Sequence, residues 1–128
     1  MSTLRVNTLA NQGGTQSTAI ENAINGSAKA WVNFDGTGTV AIRASYNVSS
    51  ITDNGTGNYT VNFTNALADA NYGTSISNPT GGGGQISNIN GTLAGGATLK
   101  STTQLRFGSY SSSFASVDTA ELSVAIFR

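Results

Sequence analysis

The sequence of 128 residues contains no cysteine and no histidine, and it has a single proline. Without cysteine the chain can form neither a disulfide nor a thiolate metal site. Without histidine and cysteine it also lacks the side chains that most often serve as general bases and activated nucleophiles. Any acid–base catalysis would therefore depend on the few carboxylates of the chain.

Those carboxylates do not suggest an active site. They are Glu21, Asp35, Asp53, Asp69, Asp118 and Glu121. Most lie in turns or at strand starts, where Asp is favoured because its side chain bonds nearby backbone N–H groups. No spacing indicates the facing pair that glycoside hydrolysis needs. We therefore expect no enzyme activity, no catalytic residue and no cofactor.

Two short segments resemble fragments of calcium loops. Asp35 precedes Gly-Thr-Gly, and Asp53 precedes Asn-Gly-Thr-Gly. A calcium loop carries more carboxylates and ends in a bidentate acid, which both segments lack. We expect plain turns without a metal.

The chain is also poor in charge, at 9 % charged residues, and its six Lys and Arg balance six Asp and Glu. This composition lacks the basic surface by which proteins bind nucleic acid or an anionic membrane. No apolar run approaches the roughly 20 residues of a membrane-spanning helix. The first residues, MSTLRVNTLAN, contain no continuous apolar segment, so we expect no signal peptide.

Large apolar residues are scarce as well. Only about a fifth of the chain is Leu, Ile, Val or Phe, close to the range in which chains cannot fold alone. Sixteen glycines and many Ser, Thr and Asn residues take their place. We therefore expect part of the apolar surface to be buried between copies of the chain, in an obligate oligomer.

The clearest element is a hairpin over 28–46, AKAWVNFDGTGTVAIRASY, in which two apolar runs flank a glycine-rich connection. Pairing Phe34 with Val40 gathers the aliphatic side chains on one face. This register places Trp31 opposite Arg43, where indole and guanidinium can stack. Trp31 and Arg43 are accordingly candidates for a subunit interface.

The rest of the domain is predicted to consist of short strands. A second hairpin joins 48–52 to 58–64, and further strands are expected at 71–77, 85–90, 97–107 and 118–127. Short helical segments are expected at 65–70 and at 19–24, the latter capped by Ser17 or Thr18. The pattern predicts an all-β fold, an antiparallel β-sandwich or barrel of about eight short strands over residues 28–128. Residues 1–27 form an extended N-terminal arm.

Polar, glycine-rich loops supply the candidate contact residues. Such loops recognise partners by adaptable hydrogen bonds and a few aromatic anchors. Tyr59 and Tyr72 are expected in the core, whereas Tyr110 is expected to be exposed in a Ser-rich loop over 108–113. The candidates for contact with a partner are Tyr110, Ser111, Ser112, Asn78, Gly82, Gly83 and Asn54.

The segment AKAWVNFDGTGTVAIRASYNVSSITDNGTGNYTVNFTNALADANY resembles a module of bacteriophage tail fibre proteins, particularly of marine and cyanobacterial phages. In that family the module follows a strand similar to LRVNTLANQGGT, and the final VDTAELSVAIFR is similar to its closing strand. The Lys-Ala-Trp-Val-Asn-Phe run and the Gly-Thr-Gly turns carry the resemblance.

The resemblance implies a virion structural protein, usually trimeric, that sits at a fibre tip and binds the host surface. The expected partners are two further copies of the chain, a host cell-surface glycan or protein, and another virion protein held by residues 1–27. The expected location is the virion, after synthesis in the host cytoplasm. A capsid decoration or head-fibre protein is the alternative, and a free carbohydrate-binding or glycoside-cleaving domain is a third.

Overall fold

The computed structural model describes residues 2–3, 5–78, 86–88 and 99–128. Within these residues, ten strands and one helix follow each other. They are β1 Thr8–Ala10, β2 Ser17–Ala19, α1 Ile20–Gly26, β3 Ala28–Asp35, β4 Ala41–Tyr46, β5 Val48–Asp53, β6 Asn58–Phe63, β7 Gly73–Ser77, β8 Ile86–Asn88, β9 Gln104–Tyr110 and β10 Leu122–Phe127.

Two four-stranded antiparallel sheets form the body of the molecule. Sheet I has the order β4-β3-β10-β7 and sheet II the order β5-β6-β9-β8, while β1 and β2 form a separate hairpin in the arm. All pairings are antiparallel. The predicted all-β fold is therefore confirmed, as a β-sandwich whose eight strands belong to residues 28–127.

The core lies between the two sheets and is built by alternation along four strands. The strands of sheet I contribute Ala30, Val32, Phe34, Leu122, Val124 and Ile126, and those of sheet II contribute Tyr59, Val61, Phe63, Leu105 and Phe107. Phe34 meets Tyr59 edge to face, with 5.3 Å between ring centroids, and Phe107 completes the aromatic cluster. Tyr59 and Tyr72 are buried, as expected.

The first hairpin forms, but its predicted register is wrong. Trp31 pairs with Tyr46 and Phe34 with Ile42, and a bulge separates Asn33 from Phe34. The turn begins later than expected because the Asp35 carboxylate accepts bonds from the N–H and hydroxyl of Thr37, at 2.8 and 2.6 Å. Trp31 therefore does not lie opposite Arg43, and the predicted stack between them is wrong.

The helix expected at 65–70 does not form. The N–H of Asn65 bonds the side chain of Asn47 (2.8 Å), and the N–H of Leu67 bonds the carbonyl of Thr102 (2.8 Å). These donors are thus occupied by distant segments. The segment crosses between the sheets as irregular chain, and Leu67 closes the core.

Two other local expectations need correction. Gly108, Ser109 and Tyr110 belong to β9 and not to a loop, because Asn58 and β8 pair with them on either side. The arm helix exists, at Ile20–Gly26, but its N-cap is Ala19 and no side chain caps it. In the described part of the arm, residues 2–3 and 5–27, no residue is buried.

Candidate functional site

One end of the sandwich gathers three turns around the hydroxyl of Tyr59; we call this the turn end. The hydroxyl lies 2.9 Å from the carbonyl oxygen of Gly36, in the β3–β4 turn, and 2.8 Å from Oδ1 of Asp118, in the segment before β10. The same carboxylate oxygen accepts the N–H of Gly57, in the β5–β6 turn, at 2.7 Å. A single buried phenol thus joins the loops of both sheets.

The environment of this phenol also sets its protonation. Burial raises the pKa of Tyr59 well above its usual range, and the hydrogen bond that its hydroxyl donates to the Asp118 carboxylate raises it further. At neutral pH the hydroxyl of Tyr59 is therefore protonated and acts as a hydrogen-bond donor. Its role is to hold the turns in place.

Each of the two Gly-Thr-Gly turns needs a glycine where its backbone approaches the neighbouring segments of the turn end. A Cβ on Gly36 would lie 2.5 Å from the hydroxyl of Tyr59, and a Cβ on Gly57 would lie 2.4 Å from the carbonyl oxygen of Ser109. Gly57 also has a φ of +64°, which favours glycine. The repeated tripeptide thus reflects two close contacts at one end of the molecule.

The candidate contact residues that the structure describes lie at this same end. Asn54 is in the β5–β6 turn, Asn78 follows β7, and Tyr110 ends β9, with Ser111 and Ser112 in the turn that follows. Ser112 and Asn54 are exposed, while Asn78 and Ser111 are half-buried. Tyr110 is also half-buried, which corrects the expectation that it is exposed. Gly82 and Gly83 lie outside the described residues.

Sequence reasoning missed the most exposed aromatic side chain of the turn end, Phe114. It is 77 % exposed and has a φ of +61°, an uncommon conformation for a bulky residue. The tight turn that imposes this conformation is closed by bonds from Phe114 N–H to Ser111 and from Ser111 N–H to Ala115. An aromatic residue within the run SYSSSFAS was the signal in the sequence.

The outer face of sheet I carries a second group of exposed aromatic residues, which we call the Trp31 face. Tyr46, Trp31, Ala125 and Ser75 form one row across its four strands. Trp31 and Tyr46 are 40 % and 58 % exposed. Beside Trp31 lies a shallow trough of about 370 Å³, floored by small residues of β7 and β10. The row is uncharged and uneven, with two large side chains beside two small ones.

Arg43, the other interface candidate, lies at the edge of sheet I. Its Nη2 donates to Oδ2 of Asp35 (3.1 Å) and to the carbonyl oxygen of Ala120 (2.6 Å). Hydrogen bonds from Thr37 hold the pKa of Asp35 below its usual value, and the Arg43 charge lowers it further. Arg43 thus ties β4 to the segment that leads into β10.

The carboxylates serve local structure in the described part of the chain. Asp53 accepts the N–H of Gly55 (2.8 Å), so both glycine turns are closed by their own Asp. At the opposite end, Arg128 pairs with Asp69 and holds its pKa below the usual value. Within the described residues, no three acidic side chains come together as a metal site.

The described helix is far too short and too polar to cross a membrane. Comparison with protein-family models, with curated proteins and with solved structures finds no match for this chain.

Proposed function

We propose that the protein is a non-enzymatic virion protein of a bacteriophage, a trimeric tail fibre or fibre-tip adhesin that binds a glycan on the host surface. The observation that carries the proposal is that the arm and the candidate contact residues lie at opposite ends of the domain. The arm enters at Ala28, which pairs with Phe127 at one end of sheet I. The candidate contact residues lie at the turn end, at the other end of the same strands.

This arrangement of the arm and the contact residues suits an adhesin that is attached to a particle. Residues 1–27 carry no buried residue where they are described, so the arm offers surface for docking onto another virion protein. The turn end offers exposed Ser and Asn side chains together with the aromatic ring of Phe114. Polar, adaptable groups with aromatic anchors are typical of recognition loops. Three such surfaces in one trimer add avidity to weak sugar contacts.

The Trp31 face is the proposed contact between subunits. Burying Trp31 and Tyr46 against a second copy would supply the apolar area that a chain of this composition lacks. Light scattering tests this directly. We expect a mass of about 39 kDa, three copies of the 13.0 kDa chain. Trp31→Ala should reduce the mass and leave the β-sheet circular dichroism spectrum in place, because Trp31 lies outside the core.

Ile42→Ala is the matched control for this variant. Ile42 is 39 % exposed, like Trp31, but it pairs with Phe34 and so lies on the opposite side of sheet I. We expect Ile42→Ala to keep the trimer mass. A native monomer, or an unchanged mass for Trp31→Ala, would contradict the proposed interface.

Cell binding tests the turn end. Fluorescently labelled protein is incubated with a panel of marine cyanobacterial cultures, with capsids stripped of surface proteins as a second target. Binding to cells, reduced by Phe114→Ser and by Tyr110→Ala, supports the adhesin. Binding to stripped capsids but not to cells would instead indicate a capsid decoration or head-fibre protein.

A further inference from the structure

The outer face of sheet II is polar and carries one cation; we call it the Arg106 face. Alternation on β5, β6 and β9 places one set of polar side chains there: Ser50, Thr52, Asn58, Thr60, Asn62, Gln104 and Arg106. Hydrogen bonds link several of them. Asn62 donates to Ser50 (3.0 Å) and Thr52 (2.9 Å), and Asn54 donates to Thr60 (2.9 Å).

Arg106 lies on β9, one of the two inner strands of sheet II, and its side chain is fixed by a hydrogen bond from Nε. Its Nε donates to Oδ1 of Asn58 at 3.0 Å, and the side chain is half-buried. Among the residues that the structure describes, neither Nη atom has a hydrogen-bond partner or a carboxylate within 4.0 Å. A guanidinium fixed at Nε presents its two Nη groups in a set direction.

The other cations of the sandwich are engaged elsewhere. Arg43 and Arg128 pair with Asp35 and Asp69. Lys100 donates to the carbonyl oxygen of Tyr72, and Lys29 donates to that of Ile24 in α1. The remaining carboxylates are also placed away from the Arg106 face. Asp53 and Asp118 bond turn N–H groups, Glu121 accepts from Asn33 beside the Trp31 face, and Glu21 is in α1. Among the described cations of the sandwich, Arg106 is thus the one whose Nη groups are left for an external anion.

An aromatic ring lies over Gly108, two positions along β9 from Arg106 and on the same face. Tyr110 is two residues from Gly108 on the same face, and its ring covers the glycine so closely that a Cβ there would lie 2.6 Å from it. Arg106 flanks Gly108 on the other side, and Asn58 pairs with Gly108 across the sheet. A ring and a guanidinium on one face, on either side of a glycine, form an arrangement that suits a sugar carrying an acid group.

We propose that the Arg106 face binds an acidic saccharide through a carboxylate or sulfate group held by the two Nη atoms of Arg106, with the ring of Tyr110 against the sugar. This inference rests on the proposed function and specifies the chemical class of the host glycan. The half-buried position strengthens the ionic bond, because solvent screens it less than at an exposed site.

The test measures binding of the full chain to three immobilised polysaccharides by biolayer interferometry. Alginate carries carboxylates, dextran sulfate carries sulfates, and dextran carries neither. We expect binding to at least one acidic polymer, with the preferred polymer identifying the acid group, and no binding to dextran. Arg106→Gln should weaken that binding by about tenfold, because one charge-assisted pair is lost.

Arg5→Gln removes the same charge from the arm and is the matched control, expected to bind as the wild type does. Arg106→Lys keeps the charge without the two-pronged donor and should bind with intermediate affinity. Light scattering and circular dichroism establish that each variant keeps its mass and fold. Equal losses in Arg106→Gln and Arg5→Gln, binding to dextran, or no binding to either acidic polymer would overturn the inference.

Cell binding separates this inference from the proposed function. If Arg106→Gln binds cells as the wild type does while Phe114→Ser does not, the adhesin stands and the acidic-saccharide site is wrong. If the mass of Arg106→Gln falls below that of the trimer, Arg106 pairs with a carboxylate of a second copy, and the inference is again overturned.

Discussion

The hydroxyl of Tyr59 lies 2.8 Å from the carboxylate of Asp118, although 58 residues separate them in the chain. The phenol comes from the second strand of the second hairpin, and the carboxylate comes from the segment that leads into the last strand. Since Gly36 and Gly57 bond to the same pair, this contact joins both glycine turns.

Replacing Tyr59 by Phe removes the hydroxyl and leaves the ring in the aromatic cluster. We expect the free energy of unfolding to fall by about 1–3 kcal/mol, because the carbonyl of Gly36 loses a partner at a buried position. Urea unfolding followed by tryptophan fluorescence measures the change. Tyr46→Phe is the control, since Tyr46 is more than half exposed, and equal stability of both variants would contradict the structural role of the hydroxyl.

Gly57 and Gly38 allow the cost of a close contact to be separated from the cost of backbone strain. Their φ angles are +64° and +58°, but a Cβ on Gly38 meets nothing within 4 Å. Gly38→Ala should cost about 1–2 kcal/mol from the left-handed conformation alone. Gly57→Ala should cost at least about 2 kcal/mol more, because the methyl group overlaps the backbone of Ser109. Thermal melts of the two variants compare them, and equal melting temperatures would refute the contact.

Asn47 joins β4 to β5 with a φ of +55°, and its side chain bonds the carbonyls of Lys29 and Asn65. Asn47→Gly loses those bonds but tolerates the backbone angle. Asn47→Ala loses the same hydrogen bonds and also places a Cβ at a positive φ. We therefore expect it to be less stable than Asn47→Gly by about 1–2 kcal/mol. Urea midpoints provide the comparison. If the alanine variant were the more stable, the strain at Asn47 would be disproved.

The ion pair between Asp69 and Arg128 predicts a dependence of stability on pH. The pKa of Asp69 is lowered from 3.8 in the folded protein, so the unfolded chain takes up the proton first as the pH falls. The contribution of the pair is therefore complete above pH 3.8, and it is lost as the pH falls through the folded pKa. Arg128→Gln should be less stable than the wild type near neutral pH and equally stable at the acid end.

Urea unfolding at a series of pH values measures this difference. Both side chains of the pair are partly exposed, so added salt should also reduce it. Arg5→Gln, in the arm, is the control and should show no pH-dependent difference in stability. A difference between Arg128→Gln and wild type that stays constant through acid pH would rule out the pair as its origin.

The sequence predicted best those elements whose alternation is local. The strand from Asn58 to Phe63 is clear because its odd-numbered residues fill the core. The same alternation predicts that Tyr59 and Tyr72 are buried, and both are. The alternation of the closing strand is equally clear over Leu122–Phe127, although the prediction begins this strand four residues too early, at 118. The candidate contact residues are predicted only from the polar, glycine-rich composition of their loops. Those that the structure describes lie together at the turn end.

The errors share a cause, which is that long-range hydrogen bonds outweigh local preference. Asn47 and Thr102 occupy backbone donors of 65–70, so a favourable helical segment stays irregular. The bulge after Asn33 and the bonds of Asp35 shift the first hairpin, and the shift separates Trp31 from Arg43. Neither the Tyr59 junction nor the position of Arg106 could be derived without knowing which strands are neighbours.

The placement of β10 between β3 and β7 has a consequence for synthesis. Leu122 pairs with Phe34, 88 positions earlier in the chain. At ribosomal rates of 5–20 residues per second, β3 waits roughly 4–18 s for its central neighbour. During that time the backbone N–H and C=O groups along one edge of β3 are unpaired and open to any strand nearby, including the β10 of another nascent chain. A domain-swapped by-product is therefore a hazard of this topology during expression, and slower, cooler translation would prolong the exposure.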